Sequence, residues 1–325
     1  MHPEFEKRLL ETDFTDIVGQ EHVKQQVKSA LLTGRHLILV GPPGVGKTTL
    51  ARSVASLLPA VELSADQFRS APDGESPTKT YTGLERFVRV QGSPDLTAED
   101  LLGDIDPLKA IEYGPMSLEA FTPGKLFKAN QGVLFFDEVN RCSDKLQNAL
   151  LQVLQEGIVT IGSYDIDFPS DFVFIGTMNP DDNSTEELSH VFLDRFDLVY
   201  MSYPARHEQE LAVVQERSRL VAEFSKPLLS YTVGFVRELR ADKNLEQAPS
   251  VRASIGLAER ASANAKIAGR SHVQLADINS AVSSVLAHRM VLKPSIRYLT
   301  STQEYVSEQF SKFVEREGIQ EGDAG

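Results

Sequence analysis

Short apolar runs alternate with amphipathic stretches along the first part of the chain. Three of these runs have the length and composition of buried strands: LILV at 37–40, VLFF at 133–136, and the apolar half of DFVFIGTMNP at 171–180. Apolar residues at three- and four-residue spacing predict helices at 21–32, 48–58 and 143–157. Apolar strands separated by helices are typical of a parallel sheet, so we expect an α/β fold in which helices sandwich the sheet.

The pattern changes near Pro204, after which one amphipathic helix follows another and strand-like runs stop. This change predicts two domains. The first is an α/β domain over residues 1–205, and the second is a smaller, all-helical domain over residues 206–325.

Several segments of the first domain interrupt the alternation of strand and helix. Residues 61–84 are rich in Pro, Ser, Thr and Gly and predict a loop or insertion. Residues 85–90 suit a strand and residues 98–105 a short helix. The segment 158–168 alternates and carries Gly-Ser-Tyr at its middle, which predicts a β-hairpin.

The apolar run at 37–40 leads into a glycine- and proline-rich loop, GPPGVGKTT. The pattern G-x-x-x-x-G-K-[ST] is met by Gly41, Gly46, Lys47 and Thr48. A strand, a glycine loop and a helix together aim backbone N–H groups at phosphates; the lysine adds a charge and Thr48 a hydroxyl ligand for Mg²⁺. The alternative is a tight strand–helix turn with an exposed lysine. The predicted nucleotide-binding residues here are Gly41, Pro42, Gly44, Val45, Gly46, Lys47, Thr48 and Thr49.

Two further strand ends carry polar residues that hydrolysis of a nucleotide requires. Asp137 and Glu138 follow the buried run at 133–136; Asp137 is a candidate Mg²⁺ ligand and Glu138 a candidate general base. Asn179 follows the run at 171–178 and is a candidate for orienting water, because parallel strands end at one sheet edge. The alternatives are a solvated acidic turn and a plain Asn-Pro turn.

Composition narrows the function classes. The chain has 325 residues, 41% of them hydrophobic, a formal charge of −13 and a single cysteine, Cys142. The negative charge argues against non-specific binding to nucleic acid. The single cysteine excludes an internal disulfide, and no apolar run resembles a signal peptide or membrane span, so we expect a cytoplasmic protein. Cys142 is interpreted as a small buried residue rather than a nucleophile. The seven histidines lack metal-ligand spacing, which leaves Mg²⁺ as the expected metal.

The motifs GPPGVGKT, VLFFDE, GTMNP and FLDRFD, in this order, resemble the AAA+ ATPases, and more narrowly their MoxR and magnesium-chelatase-like group. Two further segments support this resemblance: DIVGQEHVKQQV at 16–27 and FTPGKLFKANQGVLFFDEVNR at 121–141. The resemblance extends over residues 10 to 290. It implies binding and hydrolysis of ATP with Mg²⁺. Lys47, Thr48, Asp137 and Glu138 would keep the roles given above, and Asn179 would be the sensor 1 residue.

The resemblance assigns roles to residues that the bare pattern does not. Arg195 in LDRFD would be an arginine finger that reaches the nucleotide of a neighbouring subunit, and Arg252 in PSVRAS would be sensor 2 of the lid domain. Three residues would lie against the adenine: Ile17, Val18 and Gly19. The family works as a ring, usually a hexamer. The alternatives for the two arginines are a surface ion pair with a neighbouring aspartate and a solvated helix face.

Three functions stay open on this basis. The first is an ATP-driven remodeller of a separate protein; the family suggests metalloenzyme maturation or metal insertion through a partner with a von Willebrand A domain. The second is a motor or loader on nucleic acid, disfavoured because the hairpin at 158–169 carries Asp165 and Asp167 but no lysine or arginine. The third is a nucleotide-gated scaffold. The inserts at 103–124 and 158–169 are candidate partner contacts, or hairpins without a partner.

Overall fold

The computed structural model describes residues 2–115, 117–161, 166–180 and 188–318. Contacts divide the chain into two compact units. The first unit comprises the described residues of 1–42 and 46–201, and the second those of 43–45 and 202–325. Within the described ranges, every helix is too short or too polar to span a bilayer. The functional division at residue 205 stays a prediction.

The first unit contains both strands and helices along its whole length. Its first half contains α1 (Pro3–Glu11), α2 (Glu21–Leu32), β1 (His36–Val40), α3 (Lys47–Leu57), β2 (Val61–Ser64), β3 (Thr78–Tyr81), β4 (Phe87–Gln91) and α4 (Ala98–Leu102). Its second half contains β5 (Gly103–Ile105), α5 (Pro107–Tyr113), β6 (Phe121–Pro123), α6 (Lys125–Lys128), β7 (Val133–Asp137), α7 (Asp144–Glu156), β8 (Ile158–Ile161), β9 (Ile166–Pro169), β10 (Val173–Met178), α8 (His190–Leu193) and β11 (Phe196–Tyr200).

Five of these strands form one parallel sheet in the order β11-β1-β10-β7-β4. The first four residues of β7 are fully buried, as is Ile38 of β1, because both faces of the sheet are covered. The structure therefore confirms the α/β class and the predicted parallel sheet.

The register aligns the carboxyl ends of the central strands. Val40 lies opposite Met178, Gly176 opposite Phe136, and Asp137 opposite Gln91. The residues that follow β1, β10 and β7 therefore emerge at one edge of the sheet.

Helix prediction succeeded where the apolar stripe was strong. Helix α2 has the predicted bounds, and α3 begins one residue earlier than predicted. Helix α7 begins after Ser143, whose side chain accepts a hydrogen bond from the Leu146 N–H, and ends at Gly157 in the left-handed conformation.

Two segments differ from the prediction. The region 61–84 is not only a loop, since β2 and β3 within it pair antiparallel. The helix predicted at 98–105 ends at Leu102, because Gly103 adopts φ of +112° and opens a strand.

Both predicted hairpin-like inserts have paired arms. Strands β5 and β6 pair antiparallel and enclose α5, so the insert at 103–124 is confirmed as a hairpin with a helical tip. Strands β8 and β9 also pair antiparallel, which confirms the predicted hairpin. Its turn, with Gly-Ser-Tyr and Asp165, lies outside the described residues, and so does the C-terminal stretch after residue 318.

The second unit is helical apart from one short strand pair. It contains α9 (His207–Arg217), α10 (Lys226–Arg240), β12 (Leu245–Gln247), α11 (Val251–Ile267), α12 (Leu275–Leu286), β13 (Val291–Leu292), α13 (Pro294–Arg297) and α14 (Thr302–Glu317). The expectation of an all-helical domain missed the antiparallel pair β12–β13. The core is formed where α10, α11, α12 and α14 pack together, with residues such as Phe235, Leu257, Val282 and Phe310.

The thiol of Cys142 should be unreactive in the folded protein. The residue is 1% exposed within the hydrophobic core, and burial raises the pKa of the thiol to about 11, so the reactive thiolate is scarce at neutral pH. We expect iodoacetamide to label Cys142 only when guanidinium chloride unfolds the chain, as measured by mass spectrometry. Labelling of the native protein at the unfolded rate would contradict this prediction.

Candidate functional site

The loop between β1 and α3 owes its shape to glycines. Gly44 and Gly46 adopt φ of +79° and +100°, values that other residues rarely tolerate. At Gly41 any side chain would overlap the carbonyl of Met201. A methyl group at Gly46 would lie 3.3 Å from Cδ1 of Ile17, so this buried side chain lies directly beside the loop.

Lys47 begins α3 and folds back over the loop. Its Nζ donates to the carbonyl of Pro42 at 3.0 Å and also to that of Gly41. Among the described residues, no side chain caps this end of α3, which begins after Gly46. The two backbone carbonyls accept the hydrogen bonds of the Lys47 ammonium group. Phosphate oxygens can accept the same hydrogen bonds in their place.

The carboxylates at the end of β7 are oriented by the neighbouring strand β10. Thr177 is fully buried; its Oγ1 donates to Oδ1 of Asp137 at 2.7 Å and accepts from the N–H of Glu138 at 2.9 Å. Glu138 has φ of +57°, a strained conformation for a residue with a side chain. One threonine thus fixes both the side chain of Asp137 and the backbone of Glu138.

The edge strand β4 supplies partners that the sequence did not reveal. Arg89 donates to Oδ2 of Asp137 at 2.6 Å, and Gln91 donates from Nε2 to Oε2 of Glu138 at 2.9 Å. Arg141 approaches the same Oε2 at 3.3 Å. The pattern had predicted only a strand at 85–90. One feature of the sequence could have indicated them. Arg89 and Gln91 are two residues apart in a strand whose other residues are apolar, so their side chains lie on the same face of the sheet.

The remaining predicted residues have varied surroundings. Asn179 directly follows β10 and is half-buried, at the same sheet edge as Asp137. Val18 and Gly19 are half-buried, close in sequence to Ile17. Arg195 donates from Nη1 to the carbonyl of Val191 at 2.8 Å, and among the described residues it makes no ion pair with the aspartates beside it.

Arg252 belongs to the second unit, at the exposed start of α11. That unit also includes Pro43–Val45. A methyl group added to Gly44 would lie 3.1 Å from Oγ of Ser250 and 3.3 Å from Cγ of Arg252. Arg252 is therefore adjacent to the tip of the loop.

The donors at the sheet edge fit Mg²⁺. Each oxygen of Asp137 accepts a hydrogen bond and has further lone pairs for a metal or a metal-bound water. The Thr48 hydroxyl is a second hard oxygen donor of the kind that Mg²⁺ prefers. The described residues contain no group of three or more His, Cys, Asp or Glu that could hold a metal ion. Mg²⁺ is usually bound by one or two carboxylates together with water and substrate phosphates.

Comparison with known proteins finds three matching family models along the chain. The family described as magnesium chelatase, subunit ChlI, matches residues 13–71; the AAA domain of the dynein-related subfamily matches 80–196; and the AAA lid domain matches 237–308. The magnesium-chelatase subunit ChlI homolog of Methanocaldococcus jannaschii is 29% identical over 326 residues, 86% of each chain. The chain therefore carries an AAA domain followed by an AAA lid domain, and it is similar to the ChlI subunit of magnesium chelatase. It is therefore an ATP-hydrolysing enzyme.

Solved structures agree with the fold of this AAA+ ATPase. A chain from the complex between subunits BchI and BchD of magnesium chelatase aligns with a TM-score of 0.51 at 22% identity, covering 90% of this chain and 98% of that one. A point mutant of RuvB from Thermotoga maritima aligns with a TM-score of 0.54 at 16% identity, covering 95% of this chain and 85% of that one. At these identities the likeness shows the shared fold.

Thr177 should be important for turnover. Thr177→Val keeps the shape of the side chain but removes the hydroxyl that orients Asp137 and Glu138. Because Asp137 is a candidate Mg²⁺ ligand, and loss of a partner that orients such a ligand usually has this effect, we expect the ATPase rate to fall about 10- to 100-fold, measured by phosphate release. The matched control is Thr232→Val, which removes a buried hydroxyl from the second unit. Equal rates for the two variants would contradict the role of Thr177.

Proposed function

We propose that this AAA+ protein binds MgATP at the loop 41–48, hydrolyses it with Glu138, and uses the cycle to remodel a separate partner protein. The observation that carries the proposal is the convergence of the loop, the Asp137–Glu138 pair and Asn179 on the carboxyl edge of one parallel sheet. Such an edge is where ligands bind in α/β sheets.

Each polar group has a role that follows from its chemistry. The backbone of the loop and Lys47 hold the phosphates, and Thr48 and Asp137 hold Mg²⁺. Bound Mg²⁺ would neutralise charge on the phosphate oxygens. Glu138 polarises the attacking water, and Asn179 orients it. Gln91 and Arg141 hold the Glu138 carboxylate by its Oε2, which supports a fixed direction for this base.

The remaining predicted residues complete the proposed site. Ile17 lies beside Gly46, which supports its assignment, with Val18 and Gly19, to the adenine pocket. Arg252 is proposed as sensor 2, supported by its position beside Gly44. Arg195 is proposed as a finger for a neighbouring subunit, supported by its place in the motif FLDRFD directly after α8.

A separate protein partner is favoured by the surface of the helical insert. Helix α5 buries none of its side chains, and Leu108 and Ile111 are 79% and 84% exposed. Exposed apolar groups at helical spacing are typical of protein interaction sites. One solved structure with this fold is a complex between two subunits of magnesium chelatase, BchI and BchD. We propose that the partner of this chain is a separate subunit, with a von Willebrand A domain as the expected type, and that the ring is a hexamer in the cytoplasm.

The division of roles between Lys47 and Glu138 can be tested directly. We expect Lys47→Ala to weaken ATP binding about 10- to 100-fold, because it removes a charge-assisted contact. We expect Glu138→Gln to retain binding and to lose about 10²- to 10⁴-fold in hydrolysis. Calorimetry measures the first effect and phosphate release the second. The control is Glu6→Gln on the exposed face of α1. Turnover by Glu138→Gln at the control rate would exclude Glu138 as the base.

The proposed finger predicts complementation between inactive subunits. Arg195→Ala keeps Glu138 but lacks the finger, whereas Glu138→Gln keeps the finger. Because the finger acts on the neighbour's nucleotide, mixing the two variants should restore part of the phosphate release that each lacks alone. The control mixture combines Glu138→Gln with Lys47→Ala. Each of these variants is defective in its own nucleotide site, so this mixture shows the effect of subunit exchange and dilution alone. No recovery in mixed rings of confirmed composition would contradict a role for Arg195 between subunits.

A further inference from the structure

A fully buried carboxylate joins three helices of the second unit, α9, α10 and α11. Glu210 of α9 is 0% exposed and accepts four hydrogen bonds: from Arg240 Nη1 at 2.8 Å and Nη2 at 3.0 Å, from Arg237 Nη1 at 3.1 Å, and from Ser254 Oγ at 2.7 Å. Burial alone would raise the pKa of Glu210. The hydrogen bonds and charge of Arg240, with smaller contributions from Ser254 and Arg237, instead hold the pKa of Glu210 below its ordinary value. The group is therefore ionised at neutral pH.

The two arginines also bind the backbone at both sides of this carboxylate. Arg237 donates to the carbonyls of Pro204 at 2.8 Å and Ala205 at 2.9 Å, just before α9. Arg240 donates from Nε to the carbonyl of Pro249 at 2.9 Å, two residues before α11 begins. Ser254 lies in the first turn of α11. Glu210 thereby links the segment that leads into α9 with the start of α11.

This arrangement continues to the tip of the loop, which belongs to the same unit. The guanidinium of Arg240 lies 4.3 Å from the centre of the Tyr203 ring, and the Tyr203 hydroxyl donates to the carbonyl of Pro43 at 3.3 Å. On the α11 side, Ser250 and Arg252 lie against Gly44. The tip therefore contacts both segments that Glu210 links. The term Glu210 cluster denotes four side chains: Tyr203, Glu210, Arg237 and Arg240.

We propose that the Glu210 cluster is a positioning device that holds the loop tip, Pro43–Val45, and Arg252 in the arrangement that binds nucleotide. The inference rests on the proposed function of the loop. No member of the cluster needs to touch the nucleotide, because Tyr203 acts through the backbone of Pro43 and Arg240 acts through Tyr203 and Pro249.

The mildest test removes the hydroxyl through which Tyr203 binds the loop. Tyr203→Phe keeps the ring under Arg240 and loses the hydroxyl. We expect the Kd for MgADP, measured by calorimetry, to rise about three- to tenfold, the usual effect of one lost hydrogen bond. The matched control is Tyr305→Phe, which loses a hydroxyl bonded to Asp242 in the same unit. Weaker binding by Tyr203→Phe, with the control at the wild-type Kd and both variants at the same Tm, supports the proposal.

A second measurement needs no nucleotide. The amides of Gly44 and Val45 should exchange hydrogen faster in Tyr203→Phe than in wild type, and at the wild-type rate in Tyr305→Phe. This readout separates the two proposals: if wild-type protein failed to bind MgADP, the proposed function would fail, while exchange would still test the cluster. Wild-type exchange in Tyr203→Phe overturns the positioning role, as does equal weakening of binding by both tyrosine variants.

A double variant tests the route through Arg240. Arg240→Lys keeps the charge but loses the planar group that binds Glu210 with two N–H donors and stacks on Tyr203. If both residues act through one chain of contacts, the rise in Kd of the double variant should be smaller than the product of the single effects. A multiplicative result with an unchanged Tm would contradict a shared route.

Discussion

The parallel register of the central sheet is the constraint on which the candidate site depends. Side chains alternate between faces, so a one-residue slip of β7 against β10 would turn Asp137 away from Thr177 and break both bonds of the threonine hydroxyl. A slip of β1 would displace the loop from Asn179. The register itself is held by the backbone ladder and by strands buried on both faces, which have no alternative pairing that keeps them dry. The apolar runs therefore determine the chemistry indirectly, by fixing where each strand ends.

The polar groups at the sheet edge have hydrogen-bond partners that orient their side chains more than they stabilise the fold. The pair of Arg89 with Asp137 is half-exposed on the arginine side, and such pairs contribute only about 0–1 kcal/mol. Its consequence is geometric, since Arg89 and Thr177 between them orient both oxygens of Asp137. Gln91 and Arg141 do the same for one oxygen of Glu138. Protein groups thus orient both carboxylates, and fixed orientation of polar groups is a condition for efficient electrostatic catalysis.

The sequence revealed the parts of this site that are local and missed those that depend on distant pairing. Three features of the site each follow an apolar run within a few residues: the glycine loop, Lys47 and the Asp137–Glu138 pair. The motif and the predicted strand before it therefore supported each other. Arg89 and Gln91 were missed because their importance comes from β4 pairing with β7, about 48 residues away, and an exposed arginine on an edge strand is ordinary by itself. Strands β2 and β3 were missed for a related reason. Strand β3 is mostly exposed, and β2 has only two apolar residues among its four, too few to mark a buried strand.

Glu210 shows the same limit more sharply, because a glutamate in the first turn of an exposed-looking helix gives no sign that it is fully buried. Its burial is also hard to explain by stability, since apolar residues of similar volume often stabilise a core as well as a buried ion cluster does. What apolar residues cannot do is bind carbonyls. Each guanidinium here has N–H groups left after it binds the carboxylate, and these hold the backbone at Pro204, Ala205 and Pro249. The cluster is therefore better explained by the fixed direction it gives to the segments around the loop tip than by the energy of its ion pairs.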